Sequence, residues 1–206
     1  MPDPYFTGGN GATIQEGATV GLRYSNECGP VALGDNAVIR SGSVIYADVT
    51  LGEYFQCGHN VAIRARTTIG RHVTVGTNSV VEGDVEIGDF VKIESNCFIP
   101  THVRIGSRCF LAPNVVMTND RYPLRRRDEY VPQGPLLEDN VTVGAGVVIV
   151  PGVRIGANSF IAAGAVVTKD VPPGSLAIGV PARFSPLPEK LDEPNLALSW
   201  RKYLGE

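Results

Sequence analysis

Reactive side chains are few in this 206-residue sequence. Its histidines are His59, His72 and His102, and its cysteines Cys28, Cys57, Cys97 and Cys109. Neither set shows the close spacing of a metal site: there is no Cys-x-x-Cys and no His-x4-His pair. No metal is therefore expected. The densest gathering of reactive types is Met117-Thr118-Asn119-Asp120-Arg121-Tyr122-Pro123, followed by Arg125, Arg126 and Arg127. Within a dozen residues it offers a carboxamide, a carboxylate, a phenol and several guanidinium groups. Such a set can hold a nucleophile and manage its proton. The arginines suit a diphosphate through charge-assisted hydrogen bonds, and equally suit a solvated surface.

What positions these groups is a repeat of six. From Leu33, steps of six give Leu33, Ile39, Ile45, Leu51, Cys57, Ile63 and so on to Met117, all apolar. Four residues after each stands a small or β-branched residue, apart from Phe55 and the final Arg121, where the pattern ends, and glycine often follows directly, as at Gly34, Gly52 and Gly70. A second run follows at Leu137, Val143, Ile149, Ile155, Ile161 and Val167. Ile14 and Val20 form an earlier fragment, one residue out of step. Period six fits neither a helix nor one long strand. It predicts an all-β coil of short strands separated by turns, where glycine, asparagine and aspartate accept positive φ. Hydrophobic residues at 43% supply its core, and 24 glycines, 15 prolines and 7% aromatics suit it better than a helical bundle.

The net charge of −3 gives no basis for nucleic-acid or membrane-surface binding. No apolar stretch approaches a bilayer span, and the first ten residues lack the pattern of a signal peptide. The expectation is a cytoplasmic protein with reduced thiols.

The in-register hexads over residues 11–183, closing in GAVVTKDVPP…GVPAR, resemble the hexapeptide-repeat acyltransferases. The resemblance implies a left-handed parallel β-helix with three sides and eighteen residues per coil. It also implies acetyl-CoA as co-substrate and a homotrimer with sites between subunits. The division is 1–185 for the coil, with an inserted loop at 118–136, and 186–206 for a C-terminal extension. There Leu196, Trp200 and Tyr203 have helical spacing. Of the acyl donor's site, Lys169 and Arg183 are the candidate phosphate ligands. Ala145 and Ala163 mark places of close approach for pantetheine.

For the acceptor, the TND-x-YP stretch and Val91–Asn96 resemble the N-acetyltransferases of nucleotide-linked amino sugars. That implies a small-molecule sugar acceptor with Asn119 at its amine, and Asp120 or His102 taking the surplus proton. Tyr122 stands where the sugar O-acetyltransferases of this superfamily carry histidine. Glu94, Tyr122, Arg125 and Arg126 are the candidate substrate contacts. The stretch Cys97–Asn114, His102 above all, departs from that group, so O-acetylation is the alternative. A γ-class carbonic anhydrase, needing three converging histidines, and a non-catalytic scaffold are the remaining ones. At eighteen residues per coil, Asp48, Arg66, Asp84, His102 and Asp120 are expected in one outer column, with Thr101 beneath Asn119. Asn36, Tyr54, His72, Phe90 and Arg108 form another, in which His72 is structural.

Overall fold

The computed structural model describes residues 5–193. Strands of two to four residues, such as Val49–Leu51, Gln56–Cys57 and Ala62–Ile63, succeed one another around a three-sided coil. They stack into three parallel sheets of 8, 10 and 8 strands, here sides 1, 2 and 3. The architecture is the expected left-handed β-helix. Pairing is in register at one coil, so Thr67–Ile69 lies on Val49–Leu51, and Thr74–Val75 lies on Gln56–Cys57.

The period of six arises from these three sides. The apolar residues counted in sixes face inward from successive strands, and all fifteen from Leu33 to Met117 are at most 4% exposed. The second run, Leu137 to Val167, is buried as well. Residues four positions later fill the corners from inside, and Phe55, the bulky exception, is fully buried among them. Each such aliphatic side chain contributes about 1.5–3 kcal/mol by leaving water. The corners hold their shape through left-handed backbone at one residue each, including Asn36, Tyr54, Arg66, His72 and Asn78. Glycine directly after the aliphatic residue answers a different need: a Cβ on Gly34 would lie 2.3 Å from the backbone of Gly52.

Two phase slips in the repeat correspond to two insertions, both at the corner between sides 3 and 1. The first coil pairs Phe6 with Val31 and Thr13 with Val38, an interval of 25 residues against the usual 18. Its excess lies within 23–30, between strands Thr19–Leu22 and Val31–Leu33. Arg104 pairs with Leu136 across the second, an interval of 32. This loop occupies 118–135 and contains a short 3-10 turn at Arg127–Glu129. Strand pairing resumes at Leu136, one residue before the expected loop end, because Leu136 is already in the ladder.

Ser175–Ile178 continues side 2 and turns back as the antiparallel strand Arg183–Pro186. A 3-10 turn at Glu189–Leu191 follows; the expected C-terminal helix falls on 194–206, outside the described residues. No helix among the described residues is long and apolar enough to cross a membrane. All four cysteines are free and buried. Burial pushes the Cys97 thiol up to about 11 and the Cys109 thiol to about 12. The second predicted column is a stack: His72 is 4.7 Å from the Tyr54 ring and 5.0 Å from Phe90, nearly parallel to both.

Candidate active site

The corner between sides 3 and 1 carries the charged column. Asp48, Arg66, Asp84 and His102 occupy successive coils, each in left-handed backbone. Asp48 accepts from the Tyr24 hydroxyl at 2.5 Å and from the Gly29 N–H at 2.6 Å, and these two bonds lower its pKa. Thus the first insertion is pinned to the foot of the column. Arg66 grips Asp84 with both ends of its fork, at 2.6 and 2.8 Å, which holds the Asp84 carboxyl below its ordinary range. His102 is exposed on the coil above.

The expected fifth member, Asp120, is not in this column. The second insertion moves the next coil to 32 residues on, so the backbone above His102 belongs to Gly134. A Cβ on Gly134 would lie 2.3 Å from the His102 carbonyl, which makes glycine necessary there. Asp120 instead accepts the N–H of Tyr122 at 2.8 Å, a turn that starts the loop.

Asn119 lies over Thr101 as the column spacing predicts. Its Nδ2 donates to Thr101 Oγ1 at 2.8 Å, with Thr101 O at 3.5 Å. Its own carbonyl accepts from Gln133 N–H at 3.0 Å, and the Gln133 carbonyl accepts from Gly152 N–H at 2.8 Å. The loop therefore leaves and returns at one point, and Asn119 sits in its root. Beyond the root a hollow of about 420 Å³ is lined by Asp120, Arg121, Tyr122, Arg126, Tyr130, Val131 and Gln133. The Arg126 guanidinium lies 5.3 Å over the Tyr122 ring. Arg125 lies outside this lining and donates its N–H to the Tyr122 carbonyl at 3.0 Å.

The corner between sides 2 and 3 is of another kind. Its left-handed positions are Gly17 and Gly42, then Asn60, Asn78, Asn96 and Asn114, then Gly146 and Gly164; a Cβ on Gly42 would strike the Asn60 side chain, 2.0 Å away. The first three asparagines pass amide hydrogen bonds upward, Asn60 to Asn78 at 3.2 Å and Asn78 to Asn96 at 3.4 Å. At Gly146 and Gly164 the ladder stops. A Cβ on either glycine would meet nothing within 4 Å, and asparagine takes the same conformation below them. The chain itself thus leaves room for a side chain at both. Ala145 and Ala163, each exposed, stand beside them and stack through the Gly164 N–H to the Ala145 carbonyl at 2.8 Å. The result is a bare strip of backbone on the last coils.

The remaining candidates fall elsewhere. Glu94 is on the corner of the asparagine ladder, paired with Lys92 at 2.9 Å. Lys169 is exposed beyond Val166–Val167, and Arg183 is exposed on the last strand. Between the two corners runs the outer face of side 3. Val44, Ala62, Val80, Phe98, Val116, Val148 and Val166 lie on it in one column. Among the described residues, no group of three or more His, Cys, Asp or Glu side chains is placed to share a metal ion.

Sequence reasoning passed over Gly146, Gly164 and Gly134. For the first two a signal was present: asparagine at the equivalent place in four preceding coils.

Two family profiles match the coil. The bacterial transferase hexapeptide profile (six repeats) matches 84–119 and 134–169, and the hexapeptide repeat of succinyl-transferase matches 9–47 and 66–100. Together they span more than half of the chain. This protein belongs to the hexapeptide-repeat transferase family. A relative from Schizosaccharomyces pombe, named as an acetyltransferase, is 46% identical over 77 residues, 35% of this chain and 37% of that one. The galactoside O-acetyltransferase of Escherichia coli is 36% identical over 77 residues, 35% of this chain and 38% of that one. The match thus spans little more than a third of either relative. Among solved structures, the Arabidopsis UDP-N-acetylglucosamine acyltransferase superposes with a TM-score of 0.67 at 18% identity. It covers 97% of this chain and 74% of that one, a likeness of fold.

Proposed function

We propose that this protein transfers an acetyl group from acetyl-CoA to the amino group of a nucleotide-linked sugar. The observation that carries this reading is the carboxamide of Asn119 at the loop root, anchored through its nitrogen on Thr101. An amide oxygen can orient an N–H but is a poor base. A neutral amine needs orientation more than deprotonation, whereas a hydroxyl needs a base. The loop hollow, with two tyrosines and Arg126 in its lining, suits the aromatic base and diphosphate of a nucleotide.

Acetyl-CoA supplies a thioester, whose carbonyl carbon the amine attacks. The C–N bond forms and the C–S bond breaks. The proton lost by nitrogen goes to His102 or Asp120 and leaves with the thiol. The bare strip at Ala145, Gly146, Ala163 and Gly164 fits close passage of the pantetheine arm. The Gly146 and Gly164 N–H groups are held by the Pro113 and Ala145 carbonyls, so we assign the thioester oxygen to the N–H groups of Ala145 and Ala163. Lys169 and Arg183 are the cations we assign to the phosphates of CoA.

In one chain the strip and the loop root stand on two corners with all of side 3 between them. A second copy that brings its strip against the first copy's loop joins them. We therefore propose a homotrimer with three shared sites, for which the apolar column of side 3 supplies contact area.

A second reading, O-acetylation of a sugar, is favoured by the galactoside O-acetyltransferase relative and by the exposed imidazole of His102 beside the root. The test is free-thiol release from acetyl-CoA against paired amino and hydroxyl nucleotide sugars. Release with amino sugars alone supports the first reading. Release with hydroxyl sugars alone establishes the second, and no release with CoA bound overturns both acceptors.

A further inference from the structure

Within this acetyl-transfer reading, we propose that Thr101 is a positioning residue that turns the Asn119 carboxamide so that its oxygen, not its nitrogen, faces the acceptor. The two ends of a carboxamide are similar in shape and opposite in hydrogen-bonding sense, so an unanchored asparagine offers either. Thr101 removes that choice. It presents two oxygens to Asn119 from the coil below, Oγ1 at 2.8 Å and the carbonyl at 3.5 Å. Oγ1 supplies the strong bond, at 2.8 Å, and the carbonyl beside it, at 3.5 Å and able only to accept, gives that bond its sense: Nδ2 faces Thr101 and Oδ1 points away. Without Oγ1 the distant carbonyl is too weak to hold the amide.

The anchor is stiff. Thr101 lies between buried Pro100 and the left-handed corner residue His102, whose N–H is bonded to Asp84 O at 3.1 Å. A threonine side chain has few rotamers to choose from. Asn119 is held from the other side by the Gln133 N–H at 3.0 Å. An outward Oδ1 accepts one N–H of an incoming amine and leaves the nitrogen lone pair to be aimed at the thioester carbon. A flipped amide would offer N–H to that nitrogen and occupy the lone pair instead.

The experiment compares Thr101→Val, which keeps the shape and removes Oγ1, with Thr101→Ser, which keeps Oγ1 and removes the methyl. Thr101→Ala serves if the valine variant does not fold. Steady-state kinetics on the acceptor that wild type turns over should show kcat/KM about tenfold lower in Thr101→Val, carried by kcat, with the KM for acetyl-CoA unchanged. Thr101→Ser should recover most of it. The side-chain NH2 resonances of Asn119, read by nitrogen-15 NMR without substrates, should move in Thr101→Val and return in Thr101→Ser. Equal turnover of wild type and Thr101→Val, or a serine variant as poor as valine, overturns the proposal. Failure of the acetyl-transfer reading would appear separately, as no thiol release by wild type. The NMR comparison still decides the anchor in that event, and an unmoved Asn119 signal sinks it.

Discussion

Two corners of one coil, built on the same backbone, have become different surfaces. Between sides 2 and 3 the left-handed positions run Gly17, Gly42, Asn60, Asn78, Asn96, Asn114, Gly146 and Gly164. Nothing is inserted there, and above Asn114 its glycines, unlike Gly42 below, face open space. Between sides 3 and 1 the same positions hold Asp48, Arg66, Asp84 and His102, with Gly152 beyond the loop, and both insertions among the described residues leave from there. The first surface becomes a strip that fits a long, thin, invariant molecule. The second becomes a walled root, with side chains chosen one by one. The difference teaches how a repeat can divide labour. Where the repeat is stripped bare it can serve a common donor, and where it is interrupted it can serve one acceptor.

The strongest way to break this contrast is Asn119→Ala. We expect kcat/KM to fall about 100-fold, roughly 2.7 kcal/mol in transition-state stabilisation, with CoA affinity unchanged by calorimetry. Unchanged turnover would move the acceptor away from the loop root. Next comes Gly164→Asn on the plain corner. Asparagine already adopts this backbone at Asn60, Asn78, Asn96 and Asn114, so the variant should fold with an unaltered Tm. Its side chain would stand in the bare strip and weaken CoA binding about tenfold, or 1.4 kcal/mol. Equal affinity in calorimetry would mean that the strip is not the donor's path.

Acid sharpens the same comparison through stability. The neighbours of Asp48 and Asp84 hold both carboxyls below their unfolded values. Each therefore stabilises the fold above the unfolded pKa of about 3.9, and that stabilisation is lost as pH falls through the lower folded value. The amide ladder has no group that titrates in this range. Thermal melts of wild type between about pH 5 and about pH 2.5 should show a falling Tm, and Asp48→Asn should flatten part of the fall. An identical slope in that variant would remove Asp48 from the account. The smallest effect is expected for Arg66→Gln. Both partners of its ion pair are substantially exposed, so about 0.5 kcal/mol is the expected loss in urea melts. A loss several times larger would mean that the column is a structural strut.

Most of the coil was legible because its inward positions repeat a residue type every six residues, and burial on three sides enforces that choice at Ile39, Ile45 and Leu51 as at Ile87, Ile93 and Ile99. The insertions were legible as slips of phase. Thr101 beneath Asn119 followed from counting coils, since the count is unbroken until residue 118. Asp120 was misplaced for the same reason. Counting onward through an insertion assigns a side chain to a coil that the chain has not yet reached, and Gly134 holds that place. The bare strip escaped notice because its signal is a missing side chain, visible only once Asn60 to Asn114 are seen as one column.

One consequence follows from where the insertions sit. Strand pairing after each returns to register with the coil below, Val31 on Phe6 and Leu136 on Arg104. Neighbouring coils therefore do not sense how long the excursion was, and closing a longer loop costs only a few tenths of a kcal/mol. The loop at 118–135 is in this sense an exchangeable cassette. A descendant could acquire a new acceptor by swapping it whole, while inheriting unaltered the core beneath and the bare corner beside it.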